Sequence, residues 1–385
     1  MRSPLHLYVH IPFCEHKCAY CDFNSHVRAR HPWQAYGRAL NSELAYWARK
    51  QHFSKRKLAS VFFGGGTPSL APAELVAGIM EKAEMLFGFD QDIEISLEAN
   101  PGAVDAGSFA GYREAGVNRL SIGVQSFSDL ELGWLERIHS SAEAVLAYAR
   151  AREAGFDNIN LDLIYGLPDQ SLEGWTTNLE RAISLSPEHL SCYQLTVEPG
   201  TRLAANHARQ PLSLPKDDSA LRFFTATRKR LDQAGYDAYE VSNFAQPGAH
   251  CRHNDAYWLY DDYIGIGAGA SGKWDIDDGN VHRYTNTHSP EKYVANVEVS
   301  GCSAESVELL KTEKAAAEAV WLGLRRREGV DRVWFESRFG LDVWWHFAPE
   351  LSVWRDSGHL ALTDQSMYLT PQGIVLADAI SEAVL

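Results

Sequence analysis

Three cysteines fall within eight residues, Cys14-Glu15-His16-Lys17-Cys18-Ala19-Tyr20-Cys21, at C-x3-C-x2-C spacing. Thiolates this close let one short loop turn three sulfurs toward a single soft-metal centre. Two chemistries compete for such a loop. A structural zinc would borrow a fourth ligand, such as His16 or a distant cysteine, but zinc motifs more often add a second, separated C-x2-C pair, which this chain lacks. A 4Fe-4S cluster held by three cysteines leaves one iron open to bind a substrate, and the spacing favours this reading. Cys192, Cys251 and Cys302 are scattered; Cys192 and Cys302 read as packing residues. Crowded thiols in a chain that opens on a strand-like run, with no signal-peptide core, point to metal or redox chemistry in a reducing cytoplasm.

A scaffold has to carry that loop. It follows directly on Leu5 to Ile11, an alternating run rich in Leu, Tyr and Val that reads as a strand. Strand-like runs recur at Leu58 to Phe63, Ile93 to Leu97, Arg119 to Val124, Ile159 to Tyr165 and His189 to Val197. Helical patterns separate them: Trp33 to Lys50, Pro72 to Leu86, Asp105 to Ala115, Ala142 to Ala154 and Leu172 to Leu185. That is a βα rhythm of roughly 30 residues. Six units precede a change of pattern, whereas a closed barrel would need eight. The expected fold is therefore α/β, an incomplete (β/α)6 barrel over residues 1–200.

Residues 201–300 read as a barrel extension. It contains a helix from Asp217 to Ala234, a strand from Ala238 to Phe244, the polar segment His250-Cys251-Arg252-His253-Asn254-Asp255-Ala256-Tyr257-Trp258 and a small-residue run, Gly265 to Gly272. Residues 301–385 read as a small C-terminal α+β domain with a strand from Leu360 to Leu369.

At 385 residues the chain is long enough for two or three domains. Its 36 basic against 50 acidic residues, net −14, are the wrong balance for coating nucleic acid. No apolar run approaches the ~18 residues of a membrane-spanning helix. The composition is compatible with peripheral membrane contact, and with either a monomer or a homodimer.

The cysteine spacing, Tyr20 just before the third cysteine, the βα rhythm and the run Gly64-Gly65-Gly66-Thr67-Pro68 after the second strand together resemble the radical S-adenosylmethionine enzymes. In that superfamily the open iron chelates S-adenosylmethionine, and one electron cleaves its sulfonium bond to give a deoxyadenosyl radical. Tyr8-Val9-His10-Ile11-Pro12-Phe13-Cys14, Ser121-Ile122-Gly123-Val124-Gln125-Ser126-Phe127 and Asp162-Leu163-Ile164-Tyr165-Gly166-Leu167-Pro168 narrow the resemblance to the branch of oxygen-independent coproporphyrinogen III oxidase. Leu369-Thr370-Pro371-Gln372-Gly373 extends it to the C-terminus. The resemblance implies cofactor contacts at Tyr8, Tyr20, Gly65, Gly66, Thr67, Glu98, Gln125, Arg137 and Asp162, with Cys14, Cys18 and Cys21 on the cluster.

Two departures separate the chain from the oxidase itself. Phe23 stands where those oxidases carry a fourth cysteine, and only 13 residues precede Cys14. With His253-Asn254-Asp255-Ala256-Tyr257-Trp258, these features resemble the HemW family, heme chaperones that deliver heme to recipient proteins. The resemblance implies heme as ligand, recipient hemoproteins and a heme donor as partners, and His253 in contact with heme. Imidazole is a common axial ligand, and Tyr257 and Trp258 offer flat apolar surface; Cys251 and His250 are alternative ligands. An exposed loop site would suit a protein that must release its ligand. The competing structural reading makes His253-Asn254 a hydrogen-bonding turn and the two aromatics core. Coproporphyrinogen decarboxylation and methyl transfer are the enzymatic alternatives.

Overall fold

The computed structural model describes residues 3–103, 106–276 and 279–385; Asp105, where the sequence starts the third helix, lies outside them. The six expected strands form in sequence, each parallel to the next: β1 (Leu5–Ile11), β2 (Leu58–Gly65), β3 (Phe89–Ala99), β4 (Arg119–Gln125), β5 (Ile159–Tyr165) and β6 (His189–Gln194). Between them run α1 (Trp33–Ala48), α2 (Ala73–Phe87), α3 (Ala106–Glu114), α4 (Asp129–Trp134), α5 (Ser141–Glu153) and α6 (Leu172–Ser184).

The alternation that marks these strands has a physical origin. Leu5, Leu7, Val9 and Ile11 of β1 join the apolar core, while His6 and His10, on the opposite face, are buried polar groups. The same polar face continues in register, His6 beside Ser60, Ser60 beside Glu94, Ser121 beside Asn160 and Asn160 beside His189. All of these side chains are buried. The helices thus cover an apolar outer face, and the inner face is polar.

The 201–300 segment extends the sheet at both ends. β7 (Asp237–Ala238) and β8 (Asn243–Ala245) add an antiparallel ribbon beside β6. β9 (Asp262–Ile266) lies parallel to β1, Leu5 opposite Asp262, which makes a seventh parallel strand. β10 (Ser271–Asp275), β11 (Val281–Asn286) and β12 (Ala304–Leu310) follow antiparallel. The twelve strands run β12-β11-β10-β9-β1-β2-β3-β4-β5-β6-β8-β7, and the two end strands do not pair with each other among the described residues. The barrel is open.

Three local expectations are corrected. The strand expected from Ala238 to Phe244 is two short strands around a turn. The polar segment before residue 259 is helical over Arg252–Trp258. The strand from Leu360 to Leu369 is a hairpin, β14 (Leu360–Leu362) and β15 (Ser366–Leu369), with β13 (Val330–Asp331) paired to β15. This small sheet and the helices Thr312–Gly323, Arg332–Phe339 and Val343–Asp356 share a core that includes Val320, Phe335, Leu351 and Met367.

One buried carboxyl fastens the antiparallel strands to the barrel. Glu43 of α1 accepts from Gly267 N at 3.0 Å, Asn286 Nδ2 at 2.8 Å and Tyr293 OH at 2.6 Å. Burial raises this carboxyl from an ordinary 4.5 to about 7. The folded chain therefore holds a proton there that the unfolded chain releases. The stabilisation is complete below the unfolded value and is lost as pH rises through about 7. Urea unfolding at about pH 5 and about pH 8 should show a loss of a few kcal/mol attributable to Glu43, and Glu43→Gln should flatten that dependence. An unchanged slope in the variant would place the pH dependence elsewhere.

Candidate functional site

The cysteine loop is stitched to its surroundings. Phe13–Cys14 pairs with His26–Val27, and His26 N donates to Pro12 O at 2.7 Å, closing the base. Lys17 Nζ reaches Phe23 O at 2.9 Å across the loop, and Arg202 donates to Lys17 O at 2.7 Å. Leu203 N bonds Ala19 O at 2.9 Å, and Ala19 packs in a cluster with Leu135, Ile164 and Leu167. These contacts fix the course of the loop, and Cys14, Cys18 and Cys21 all line one cavity of about 830 Å³.

Donors converge on the sulfurs. Thr67 Oγ1 lies 3.3 Å from Cys14 Sγ, and Arg137 Nη1 lies 3.7 Å from Cys18 Sγ. Burial raises the Cys14 and Cys21 thiols, so a cationic centre is needed to draw them into the thiolate form. No three His, Cys, Asp or Glu side chains among the described residues converge on a single ion. Three cysteines on one cavity are the donor set that a 4Fe-4S cluster takes, one thiolate to each of three irons.

The glycines bring the end of β2 against this loop. Gly66 N donates to Ile11 O and Thr67 N to Phe13 O, both at 2.8 Å. A Cβ on Gly66 would stand 2.7 Å from Phe13 O and 3.0 Å from the Cys14 sulfur. Gly65 adopts φ +115°, and its N–H donates to Glu98 Oε2 at 3.0 Å. Side-chain-free backbone is what allows this approach.

Charged groups enter from the strand ends. Glu98 (β3) is held near 8 by burial and then by the neighbouring Asp162 (β5). Asp162 is also raised by burial, while it accepts from Ser121 Oγ at 2.9 Å and Asn160 Nδ2 at 2.8 Å. Two carboxyls in one dry site cannot both ionise cheaply, so they suit a ligand that brings positive charge or donors. Arg137, just after α4, bonds Asn100 Oδ1 at 2.9 Å, Gly123 O at 3.0 Å and the Tyr20 hydroxyl. Its Nε is buried with no hydrogen-bond partner among the described residues, a spare donor suited to an anionic ligand group. Gln125 ends β4 at φ +65°, a strained position for a residue other than glycine and one that functional sites collect.

Tyr20, Gly65, Gly66, Thr67, Glu98, Gln125, Arg137 and Asp162 thus line the cavity with the cysteines. Tyr8 does not. It lines a smaller polar cavity of about 220 Å³, which also touches Glu98, Asp162, Arg119 and His253. Its hydroxyl bonds His10 Nδ1 at 3.0 Å, and its ring would stand within 2.9 Å of a Cβ on Gly64.

The exposed loop expected around His253 is corrected: the residue is buried on a helix. Its Nδ1 lies 2.6 Å from Ser60 Oγ and its Nε2 lies 3.0 Å from the Tyr257 hydroxyl. The Glu94 carboxylate accepts its backbone N–H at 3.0 Å, and Phe62 stacks 5.1 Å away. Burial, then His6 and Arg119, push the ring well below its usual pKa, so it is neutral. Both alternative ligands are also engaged, Cys251 buried beside Glu94 and His250 stacked on Tyr239 at 4.2 Å. Sequence reasoning missed Asn100 and Asn160, which hold Arg137 and Asp162, and the C-terminal residues 374–379 that wall the larger cavity. Asn100, followed by Pro101 and Gly102 at a strand end, was the one with a local signal.

An open parallel barrel with three cysteines after its first strand and a glycine turn after its second defines a radical S-adenosylmethionine fold. The chain matches the Radical SAM superfamily over residues 8–182 and the HemN C-terminal domain over residues 310–376. It is 39% identical to the heme chaperone HemW of Escherichia coli, over 99% of this chain and 98% of that one. The Haemophilus influenzae protein of that name is 45% identical over 76% of each chain. The Bacillus subtilis protein is 34% identical over 98% of each. Among solved structures, coproporphyrinogen III oxidase (HemN) from Escherichia coli superposes with a TM-score of 0.83 at 26% identity, over all of this chain and 90% of the other. The chain belongs to the HemW family of the radical S-adenosylmethionine superfamily. Membership implies a 4Fe-4S cluster and S-adenosylmethionine, and the donor set at the cavity fits both.

Proposed function

We propose that this chain is a cytoplasmic heme chaperone, accepting heme from a donor and passing it to recipient hemoproteins. The observation that carries the reading is its correspondence, over 98% of their length, to two proteins that bear that name. Phe23, at the position of the oxidases' fourth cysteine, supports it.

In this reading Cys14, Cys18 and Cys21 hold the cluster. When bound, the cluster supplies an electron-transfer centre with one iron open to the amino-acid end of S-adenosylmethionine. Arg137 would offer its guanidinium to the carboxylate, and Glu98 and Asp162 would accept from amino or ribose hydroxyl groups. The backbone of Gly65, Gly66 and Thr67 would border the methionyl group. His253 would reach heme iron only after exchanging the Tyr257 hydroxyl at its Nε2.

Anaerobic titration of the cluster-loaded protein with heme, followed by Soret absorbance, tests the proposal. Saturable binding, and transfer of that heme to an apo-hemoprotein, is the expected result. Weaker binding by His253→Ala would assign the ring a part in it. Without saturable binding by the wild type, and with conversion of coproporphyrinogen III dependent on S-adenosylmethionine and reductant, the chain would instead be a decarboxylase.

A further inference from the structure

The cavity that the cysteines line has a mixed wall. Its polar lining is the site described above. The same lining includes apolar side chains from three distant parts of the chain: Phe23 of the cysteine loop, Phe224, and the single helical turn Ile374-Val375-Leu376. Phe23 is 56% exposed, and Val375 and Leu376 are each 38% exposed. Single exposed apolar residues are ordinary, but apolar side chains from segments some hundreds of residues apart, gathered on the wall of one cavity that also carries polar groups, mark a ligand site.

Arg325 supplies a cation to the same lining. It is weakly committed: its Nη2 lies 3.8 Å from the buried Glu240 carboxylate, and its Nη1 lies 3.4 Å from Asp378, whose side chain is 84% exposed. Its Nε is buried with no hydrogen-bond partner among the described residues. The guanidinium stays in place because it lies over the Trp258 ring, 4.8 Å from the centroid. Trp258 thereby ties the helix that carries His253 to the larger cavity.

We infer that the porphyrin of heme seats in this cavity against its apolar lining, its plane between Phe23 and the Val375–Leu376 turn and a propionate on Arg325. The inference rests on the heme reading above. A volume of about 830 Å³ lies near the top of the range for ligand pockets, roughly 300–1,000 Å³, which leaves room beyond the polar subsite. A flat, largely apolar ligand with carboxylates at one edge matches apolar walls with one cation at the rim. A propionate on Arg325 replaces the solvent-screened Asp378 at the Nη1 edge, and carboxylate–guanidinium geometry rewards that exchange. The seat needs no protein ligand to the iron, consistent with a His253 whose ring nitrogens are both engaged.

The test uses the full-length, cluster-loaded chain. Leu376→Ser, Phe23→Ala and Arg325→Gln should each weaken heme binding about tenfold with iron content unchanged. Metal-free protoporphyrin should compete with heme at a similar concentration, because walls and propionate, not iron, make the site. Its dimethyl ester should bind the wild type about tenfold more weakly, which probes Arg325 even if a variant fails to fold. Saturable wild-type binding that all three variants retain, or that metal-free porphyrin cannot displace, would overturn the seat and leave the chaperone reading standing. No saturable binding by the wild type would remove both.

Discussion

Cys18→Ala should leave a colourless protein whose iron content falls close to background after anaerobic reconstitution. Each of the three cysteines serves one iron, and the open fourth iron already lacks a protein ligand, so a second bare iron leaves the cluster without a stable hold. The hydrogen-bond partners of the Cys18 sulfur are Glu136 O and Arg137 Nη1, each 3.7 Å away, and the second is a cation. Removing the thiolate leaves that guanidinium facing the vacated position and repelling the metal. The loop itself should survive, because Lys17 to Phe23 O, Arg202 to Lys17 O and Leu203 N to Ala19 O do not involve the sulfur. Apo wild type and variant should therefore unfold at similar urea concentrations, which separates loss of the cluster from loss of the fold. Iron and charge-transfer absorbance that persisted in the variant would refute the cluster assignment. Stoichiometric zinc in the wild type would favour the structural-metal alternative.

Much of this site is legible in the sequence because its parts sit at the ends of strands with plain signatures. The cysteine loop follows a strand whose alternation is unmistakable, and the three glycines terminate the next. The strands themselves report the polar lumen: a sheet buried on both apolar faces would read as continuous runs, whereas His6, Ser60, Asn160 and His189 place polar residues within these strands. What stays hidden is non-local. β9 is five residues, two of them flanking or within a glycine run, and its partner β1 lies some 250 positions upstream. The helix Arg252–Trp258 buries His253 and Ala256 against a polar interior, so it shows no apolar stripe from which to read it. Residues 374–379 reach the cavity only because the C-terminal domain folds back over the barrel mouth. No local pattern announces such a contact. Tyr8 is a different case: its position on the strand is plain, but which of two adjoining cavities it enters depends on the glycine opposite its ring.

Gly65→Ala is expected to cost about 2–5 kcal/mol and to abolish binding of S-adenosylmethionine. Two separate penalties act at this position. At φ +115° an L side chain is strained whatever space surrounds it. The space is also taken, since the new Cβ would stand 2.5 Å from His10 Cε1 and 2.7 Å from its Nδ1. The imidazole cannot swing aside without loss, because its Nε2 is tied to Asn24 O at 2.8 Å and its Nδ1 to the Tyr8 hydroxyl at 3.0 Å. Asn24 in turn holds the cysteine loop to Ala268 O at 2.9 Å and His288 O at 3.0 Å. Displacing His10 therefore disturbs Tyr8, the loop and, through the Gly65 N–H, the Glu98 carboxylate that accepts it at 3.0 Å. A single methyl group thus disturbs Tyr8, the cysteine loop and Glu98 together. Gly78→Ala is the matched control: it lies in α2, where a new methyl group would meet nothing within 4 Å, and should stabilise the chain by up to ~1 kcal/mol. Urea unfolding of both variants, with calorimetric titration of S-adenosylmethionine onto the cluster-loaded forms, gives the comparison. Equal stability of the two, with ligand affinity intact at Gly65→Ala, would mean that the turn can relax and that the glycine is not what lets backbone, cysteine loop and ligand meet.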